Sequence, residues 1–222
     1  MATINFYAQP PRLYRYRSVE NLDRELSAIE EGYLFCAAFT DLNDPMEGIF
    51  SSSRHFREKE NYRAIRQSIL DNKSLIGMCS FSEARNHELM WAHYADQFSG
   101  ICISYSLSKL LRFLPDNVSF VRMFYDETEP TVHTTRVAHN DLAKMVLSYK
   151  NHRWLYEREW RMFAPEQGRV HYRNKECVTI VYLGSRISEA HRNGITNRLA
   201  ALGVQTRSMI IKKYSISFEK NR

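Results

Sequence analysis

The sequence predicts an α+β fold: a single domain over residues 1–222 on a central mixed or antiparallel β-sheet, whole or split into two facing halves, flanked by helices. Two observations predict it. Strand-like and helix-like stretches follow one another along the entire chain, with no repeat, low-complexity segment or linker to divide them. Their order also lacks the strict strand–helix rhythm of a doubly wound parallel sheet.

The elements follow in order. "RLYRYR" (12–17) alternates as a strand, with Arg15 and Arg17 on one face and Tyr14 and Tyr16 on the other. Ser18 caps a helix on which Val19, Leu22, Leu26 and Ile29 recur at helical spacing until Gly32 stops it. "YLFCAAF" (33–39) is a strand, and "LNDPMEG" (42–48) after it turns sharply at Asp44-Pro45. Residues 56–71 read as a surface helix with Tyr62, Ile65 and Ile69 inward. "SLIGMCSFS" (74–82) and "GICISYSL" (100–107) are buried strands around a short aromatic-rich helix, "ELMWAHYADQF" (88–98). "VSFVRMFY" (118–125) is a further strand. A helix capped by Asn140 runs to about residue 150, with Leu142, Met145, Val146 and Tyr149 inward. "YEREWRMF" (156–163) and "CVTIVYLG" (177–184) are strands, Ser188 to Gly203 is the last helix, and "QTRSMIIKKYSISF" (205–218) ends in β structure. The total is roughly eight strands and five helices.

With 44% hydrophobic and 25% charged residues in 222, the chain has the composition of a soluble globular protein. It has no apolar run of bilayer length, so no membrane partner is expected. Its start, "MATINFYAQPPR", lacks the basic-then-apolar layout of a signal peptide, which makes the cytoplasm the expected compartment. Cys36, Cys79, Cys102 and Cys177 sit inside apolar runs, none at zinc-ligand or redox-pair spacing. They read as buried reduced thiols, and no metal is expected. The formal charge of +6 rests on scattered arginines with concentrations at 12–17 and 153–161 and in "IIKKY". Such charge either solvates a surface or draws an anionic ligand: a nucleotide, a nucleic acid or an acidic protein.

Three polar clusters lie at strand ends or strand-flanking turns, where sites tend to be built. In "YEREWRMF", an extended chain puts Glu157, Glu159 and Arg161 on one face, with the two carboxylates roughly 6–7 Å apart. They either serve one substrate from two points or form a charged outer face neutralised by Arg161. In "RLYRYR", Arg15 and Arg17 either grip a phosphate with bidentate hydrogen bonds or form an exposed basic face. In "CSFSEARNHELMWAHYAD" (79–96), Ser80 and Ser82 end a strand where hydroxyls reach a ligand or cap the next turn. On the following helix Met90, Trp91 and Tyr94 form a stripe that reads as core, Tyr94 being also a candidate cofactor contact. His93, off the stripe, is a candidate catalyst or a structural histidine. Asn43 and Glu47 flank the Asp44-Pro45 corner and are candidates to face a ligand.

The ordered set "LYRYR", "LNDPMEG", "CSFSEARNHELMWAHYAD", "GICISY" and "WLYEREWRM" resembles a bacterial domain family of unknown function. Its members carry Tyr-Lys/Arg-Tyr, Asn-Asp-Pro-x-Glu, Cys-Phe-Ser, Met-Trp-x-x-Tyr-Ala, Gly-(Ile/Val)-Cys and Glu-x-Glu-Trp-Arg in this order, matched here over about residues 12–163. More distantly, an Arg on the first strand, a Ser-x-Ser-like second strand and a later Glu-x-Glu resemble the mono-ADP-ribosyltransferases of the Arg–Ser–Glu type. That resemblance implies an ADP-ribosyltransferase-like fold and NAD as substrate. Arg17 or Arg15 would anchor the dinucleotide, Ser80 or Ser82 support the nicotinamide ribose, Glu159 hold the ribose hydroxyl, and Glu157 stand on the target side. "CSFSEA" departs from the family's usual Ser-Thr-Ser, and the Asn-Asp-Pro loop has no counterpart there.

The leading expectation is therefore an NAD-using ADP-ribosyltransferase or NAD glycohydrolase, a toxin or defence effector acting on a protein or nucleic-acid target. One alternative is a nuclease with divalent metal on Asp44, Glu47, Glu157 and Glu159, against which the lack of a tight Asp-x-Asp cluster counts. The other is a non-enzymatic nucleotide or nucleic-acid sensor using arginines for phosphates and tyrosines for stacking.

Overall fold

The structure, a computed structural model, describes residues 9–133 and 136–219; residues 1–8, on which most of the leader reading rests, lie outside them. In chain order the elements are β1 (Arg12–Arg17), α1 (Leu22–Glu31), β2 (Tyr33–Cys36), β3 (Ser51–Ser52), α2 (Arg54–Arg57), α3 (Tyr62–Leu75) and β4 (Gly77–Ser82). Next come α4 (Glu88–Tyr94), β5 (Ile101–Ser106), α5 (Leu107–Phe113), β6 (Ser119–Arg122), β7 (Phe124–Asp126), β8 (Thr131–Val132), α6 (His139–Val146) and β9 (Tyr149–Asn151). The chain closes with β10 (Glu159–Ala164), β11 (Gly168–His171), β12 (Val178–Leu183), α7 (Glu189–Ala200), β13 (Gln205–Lys212) and β14 (Ser215–Phe218). The class is α+β. The described residues fall into two units, one from Met1–Gly32, Ser82–Leu114 and Tyr172–Arg222, the other from Tyr33–Phe81 and Pro115–His171.

In the first unit the strands lie in the order β14-β13-β12-β5-β1. β5 runs antiparallel to β1 from Arg12↔Ser106 to Arg17↔Ile101 and antiparallel to β12 on its other side. β12 and β13 are parallel, which requires a crossover, and α7 supplies it; the Ser188 hydroxyl accepts from the His191 N–H to start that helix. The sheet is thus mixed. Ser18 caps a 3-10 turn over Val19–Asn21, so α1 begins at Leu22, later than the spacing predicts. It ends on Gly32 at φ 77°, a left-handed position that glycine adopts freely. The predicted helix over 88–98 stops at Tyr94. Asp96, Gln97 and Phe98 take φ of 46°, 49° and 74°, which no helix continues, and they turn the chain into Gly100. A Cβ on Gly100 would stand 2.2 Å from the Arg17 carbonyl oxygen. Trp91 is fully buried, with Tyr16 edge-on to it at 5.3 Å.

The second unit is built on α3 and α6 packed over β4, β10 and β6, which are neighbours in that order. Ile65 and Ile69 of α3 meet Leu142, Ala143 and Val146 of α6, with Met78 and Phe163 from the strands in the same cluster. Residues three and four apart form one stripe on each helix, and each fully buried Ile or Leu stabilises the unit by about 1.5–3 kcal/mol. The predicted helix over 56–71 is broken into α2 and α3, and α6 ends at Val146, so Tyr149 is in a strand rather than on a helix face. All four cysteines are buried and unbridged. Burial pushes the Cys177 thiol up to about 11. No helix among the described residues is long and apolar enough to cross a membrane.

Candidate functional site

The second unit holds a closed network of buried charges. β10 begins at Glu159 and all six of its residues are buried. Arg161, fully buried, donates through Nε and Nη2 to Glu159 Oε1 at 2.9 and 2.8 Å and through Nη1 to the Leu147 carbonyl at 2.6 Å. Its Nη2 also lies 2.7 Å from Glu47 Oε2. Glu47 Oε1 is 3.2 Å from Lys150 Nζ, and that ammonium stands 3.3 Å from Glu159 Oε2. The ring Arg161–Glu47–Lys150–Glu159 is complete. Glu157 joins it through Lys150 Nζ at 2.6 Å, and the Ser80 hydroxyl hydrogen-bonds the Glu159 carboxylate. Three carboxylates and two cations leave one net negative charge, all on side chains almost without exposure.

The local sequence sets each position. In "LNDPMEG", Asp44 is buried and its Oδ1 accepts from the Met46 N–H at 2.9 Å, an Asx turn that folds the loop back on itself. Glu47 is thereby aimed inward, and Gly48 follows at φ 72°. The Gly48 carbonyl accepts from Lys73 Nζ, itself buried over the Phe39 ring at 4.5 Å. Burial, aided by the charge of Arg66, lowers the Lys73 pKa. Lys150 is the middle residue of β9, opposite Tyr125 of β7, and the Tyr125 hydroxyl accepts from the Glu159 N–H at 2.8 Å.

Burial penalises every charge here, and the opposite charges outweigh it. Burial opposes the Glu159 carboxylate, yet Arg161 and Lys150 hold it below the usual carboxylate range. Burial likewise opposes the Lys150 ammonium, and Glu159, Glu47 and Glu157 raise its pKa. Lys150 Nζ also sits 4.9 Å from the centre of the half-buried Trp154 ring, and Tyr156 lies 6.1 Å from that ring.

Of the residues predicted from sequence, Glu47, Ser80, Glu157 and Glu159 meet in this network. Three expectations need correction. Glu157 does not share a strand face with Glu159: it ends a 3-10 turn over His152–Glu157, and Arg158 at φ 47° reverses the chain before β10. The charges of 157–161 are not an outer face, because Glu157, Glu159 and Arg161 are all buried. At the Asn-Asp-Pro corner the inward residues are Asp44 and Glu47, while Asn43 is exposed.

Arg15, Arg17, Ser82, His93 and Tyr94 belong to the first unit. Arg15 is buried, and Arg17 Nε is 3.1 Å from the buried Glu25, so β1 does not present an exposed arginine pair. Ser82 Oγ accepts from the Ala84 N–H, the turn-capping role. His93 is exposed, with the half-buried Tyr94 ring 6.4 Å away. Sequence reasoning missed Lys150, Tyr125 and Trp154. "YKN" carries no periodic signal that separates it from the helix before it.

A model of the family described as "Protein of unknown function (DUF2971)" matches residues 90–162. The matched stretch includes Lys150, Glu157, Glu159 and Arg161 and leaves out Glu47 and Ser80. No curated protein and no solved structure matches the chain.

Proposed function

We propose that the protein binds a nucleotide without consuming it, and that Trp154 and Tyr156 receive the ligand's ring. The observation that carries this reading is the half-buried Trp154–Tyr156 pair, fixed by an ammonium that three carboxylates hold in place. Stacking on such a ring is worth about 1–3 kcal/mol per base and needs no hydrogen-bond readout. The state of Glu159 supports binding over cleavage. A carboxylate that stabilises an oxocarbenium-like sugar must face it, whereas Glu159 is 3% exposed and its oxygens are engaged by Arg161 and Lys150.

NAD cleavage or ADP-ribosyl transfer is the second reading. The Ser80–Glu159 hydrogen bond favours it, as does Glu157 on the turn just before the strand. The nuclease reading is weaker, because Lys150 occupies the point among the three carboxylates where a divalent cation would be held. The test is calorimetric titration with NAD and ATP, with nicotinamide release followed in parallel. Binding without release is expected, with Trp154→Ala weakening it roughly tenfold. Nicotinamide release that Glu159→Gln abolishes would replace this reading with the ribosyl one, and absence of binding would end both.

A further inference from the structure

We infer that the first unit carries a binding site for a phosphoryl group of a small-molecule nucleotide, formed by Arg12, Arg85 and Arg207 around Tyr182. These residues are distinct from those of the function proposed above. Tyr182 on β12 is 1% exposed, and its hydroxyl has no hydrogen-bond partner among the described residues. A buried hydroxyl left unmatched costs stability unless something else supplies its partner. Arg207 of β13 stands beside it in register, and its Nε is likewise buried without a partner among the described residues. Among the described residues, the outermost nitrogens of Arg207 have only a 3.4 Å contact to Gln205 Oε1.

Arg85 lies over the same ring, and Arg12 is on the neighbouring strand face. Arg85, exposed, lies with its guanidinium carbon 5.4 Å from the Tyr182 centroid and 6.0 Å from that of Phe218, and its Nη1 reaches the Tyr14 hydroxyl at 3.5 Å. Arg12, exposed, is on the same face of β1 as Tyr14, whose ring is 6.3 Å from that of Tyr182. Among the described residues no ion pair engages Arg12, Arg85 or Arg207. Elsewhere in the same unit Arg17 and Arg198 each have their glutamate. Three arginines with no ion pair among the described residues, next to two buried polar atoms with no hydrogen-bond partner among them, are the complement of a dianion with several acceptor oxygens. The half-buried Phe218 ring, 4.4 Å from that of Tyr182 and tilted by 50° to it, is the aromatic surface beside these arginines.

This also relocates the phosphate grip expected of the first strand. It falls to Arg12, on the tyrosine face, rather than to Arg15 and Arg17.

The experiment titrates the full-length chain with inorganic pyrophosphate, with 5′-AMP and ATP, and with a single-stranded oligonucleotide, all at one ionic strength. Wild type is expected to bind pyrophosphate and to bind ATP more tightly. Arg207→Gln should weaken pyrophosphate binding, and the ATP binding that survives Trp154→Ala, by roughly tenfold, the loss typical of one charge-assisted hydrogen bond. Tyr182→Phe, which removes only the hydroxyl, should weaken both several-fold, and Arg198→Gln, a control at an ion-paired surface arginine, should change neither. Thermal melts establish that each variant is folded, and Arg85→Gln, at an exposed position, replaces any that is not. Binding unchanged within twofold in Arg207→Gln and Arg85→Gln would overturn the assignment. So would no binding of pyrophosphate or ATP at millimolar concentration, or binding of the oligonucleotide alone.

Discussion

Replacing Lys150 by Met tests whether the buried network holds the second unit together. The ammonium contacts Glu157, Glu47 and Glu159 at 2.6, 3.2 and 3.3 Å. At an effective dielectric near 20, each contact of about 3 Å is worth roughly 5 kcal/mol, most of which offsets the desolvation of the charges involved. Methionine keeps most of the stem's packing, leaves Glu47 and Glu159 with Arg161, and takes from Glu157 its ammonium partner at 2.6 Å. Removing one partner from a buried ion pair costs about 3–5 kcal/mol, a third or more of a typical domain's stability. In urea, with a slope of about 3 kcal/mol/M, the midpoint should fall by roughly 1–1.7 M when followed by far-UV circular dichroism. Adding Glu157→Gln to the variant should restore part of the loss, because it removes one of the unmatched charges.

The pH dependence has a definite sign. In the wild type the depressed Glu159 pKa gives stability that is present above the ordinary carboxyl value of 4.5 and lost as pH falls through the folded value. In Lys150→Met much of that depression is gone. The gap between the two proteins should therefore narrow as pH drops from 7 to below 4.5. A midpoint shift worth less than about 1 kcal/mol, or a gap that widens in acid, would refute the reasoning.

Two further outcomes follow from single positions. Gly77→Ala should strongly destabilise the protein and lower the yield of folded chain, because a Cβ there would stand 2.1 Å from the Glu166 carbonyl oxygen, a backbone atom that cannot rotate away. A melting temperature within a degree or two of wild type would contradict it. Cys177, its pKa pushed up to about 11, should stay unlabelled by iodoacetamide at pH 8 in the native state and react once the chain is denatured; native labelling as fast as a free thiol would exclude the buried placement.

The legible parts of the sequence were those with local signals. Ser188 and Gly32 mark helix ends through their own backbone chemistry, and both act as the sequence predicts. The Asp44 corner was legible for the same reason, since an Asx turn is closed within three residues. Glu157, Glu159 and Arg161 were visible as charges, and even the Glu159–Arg161 pairing follows from strand spacing. Their burial was not legible, because it depends on counter-charges brought from the loop at 47 and the strand at 150. The apolar period of α6 runs on to Tyr149, so periodicity extends the helix past its end at Val146, and Asn140, expected as its cap, lies inside it. That overrun carried Lys150 onto a helix and concealed the cation that completes the network.

Why the second unit carries charge where an apolar core would be as stable follows from β10 itself. A buried ion network is often no better than well-packed apolar side chains of the same volume, so stability alone does not account for it. Register does. A strand with one buried face is aligned by its alternation, and a slip of one residue exposes its apolar set. All six residues of β10 are buried, on both faces, so that penalty is missing. Here the penalty is electrostatic instead. Sliding "EWRMFA" by one position would take Arg161 away from Glu47 and from the Leu147 carbonyl, and would take Glu159 away from Lys150. Each group would then be a buried charge without its partner, which costs more than any apolar mismatch in the same place. The network therefore selects one alignment of β10 against the segment from residue 147 to 150 and the loop at 47, and that alignment holds Trp154 and Tyr156 beside Lys150.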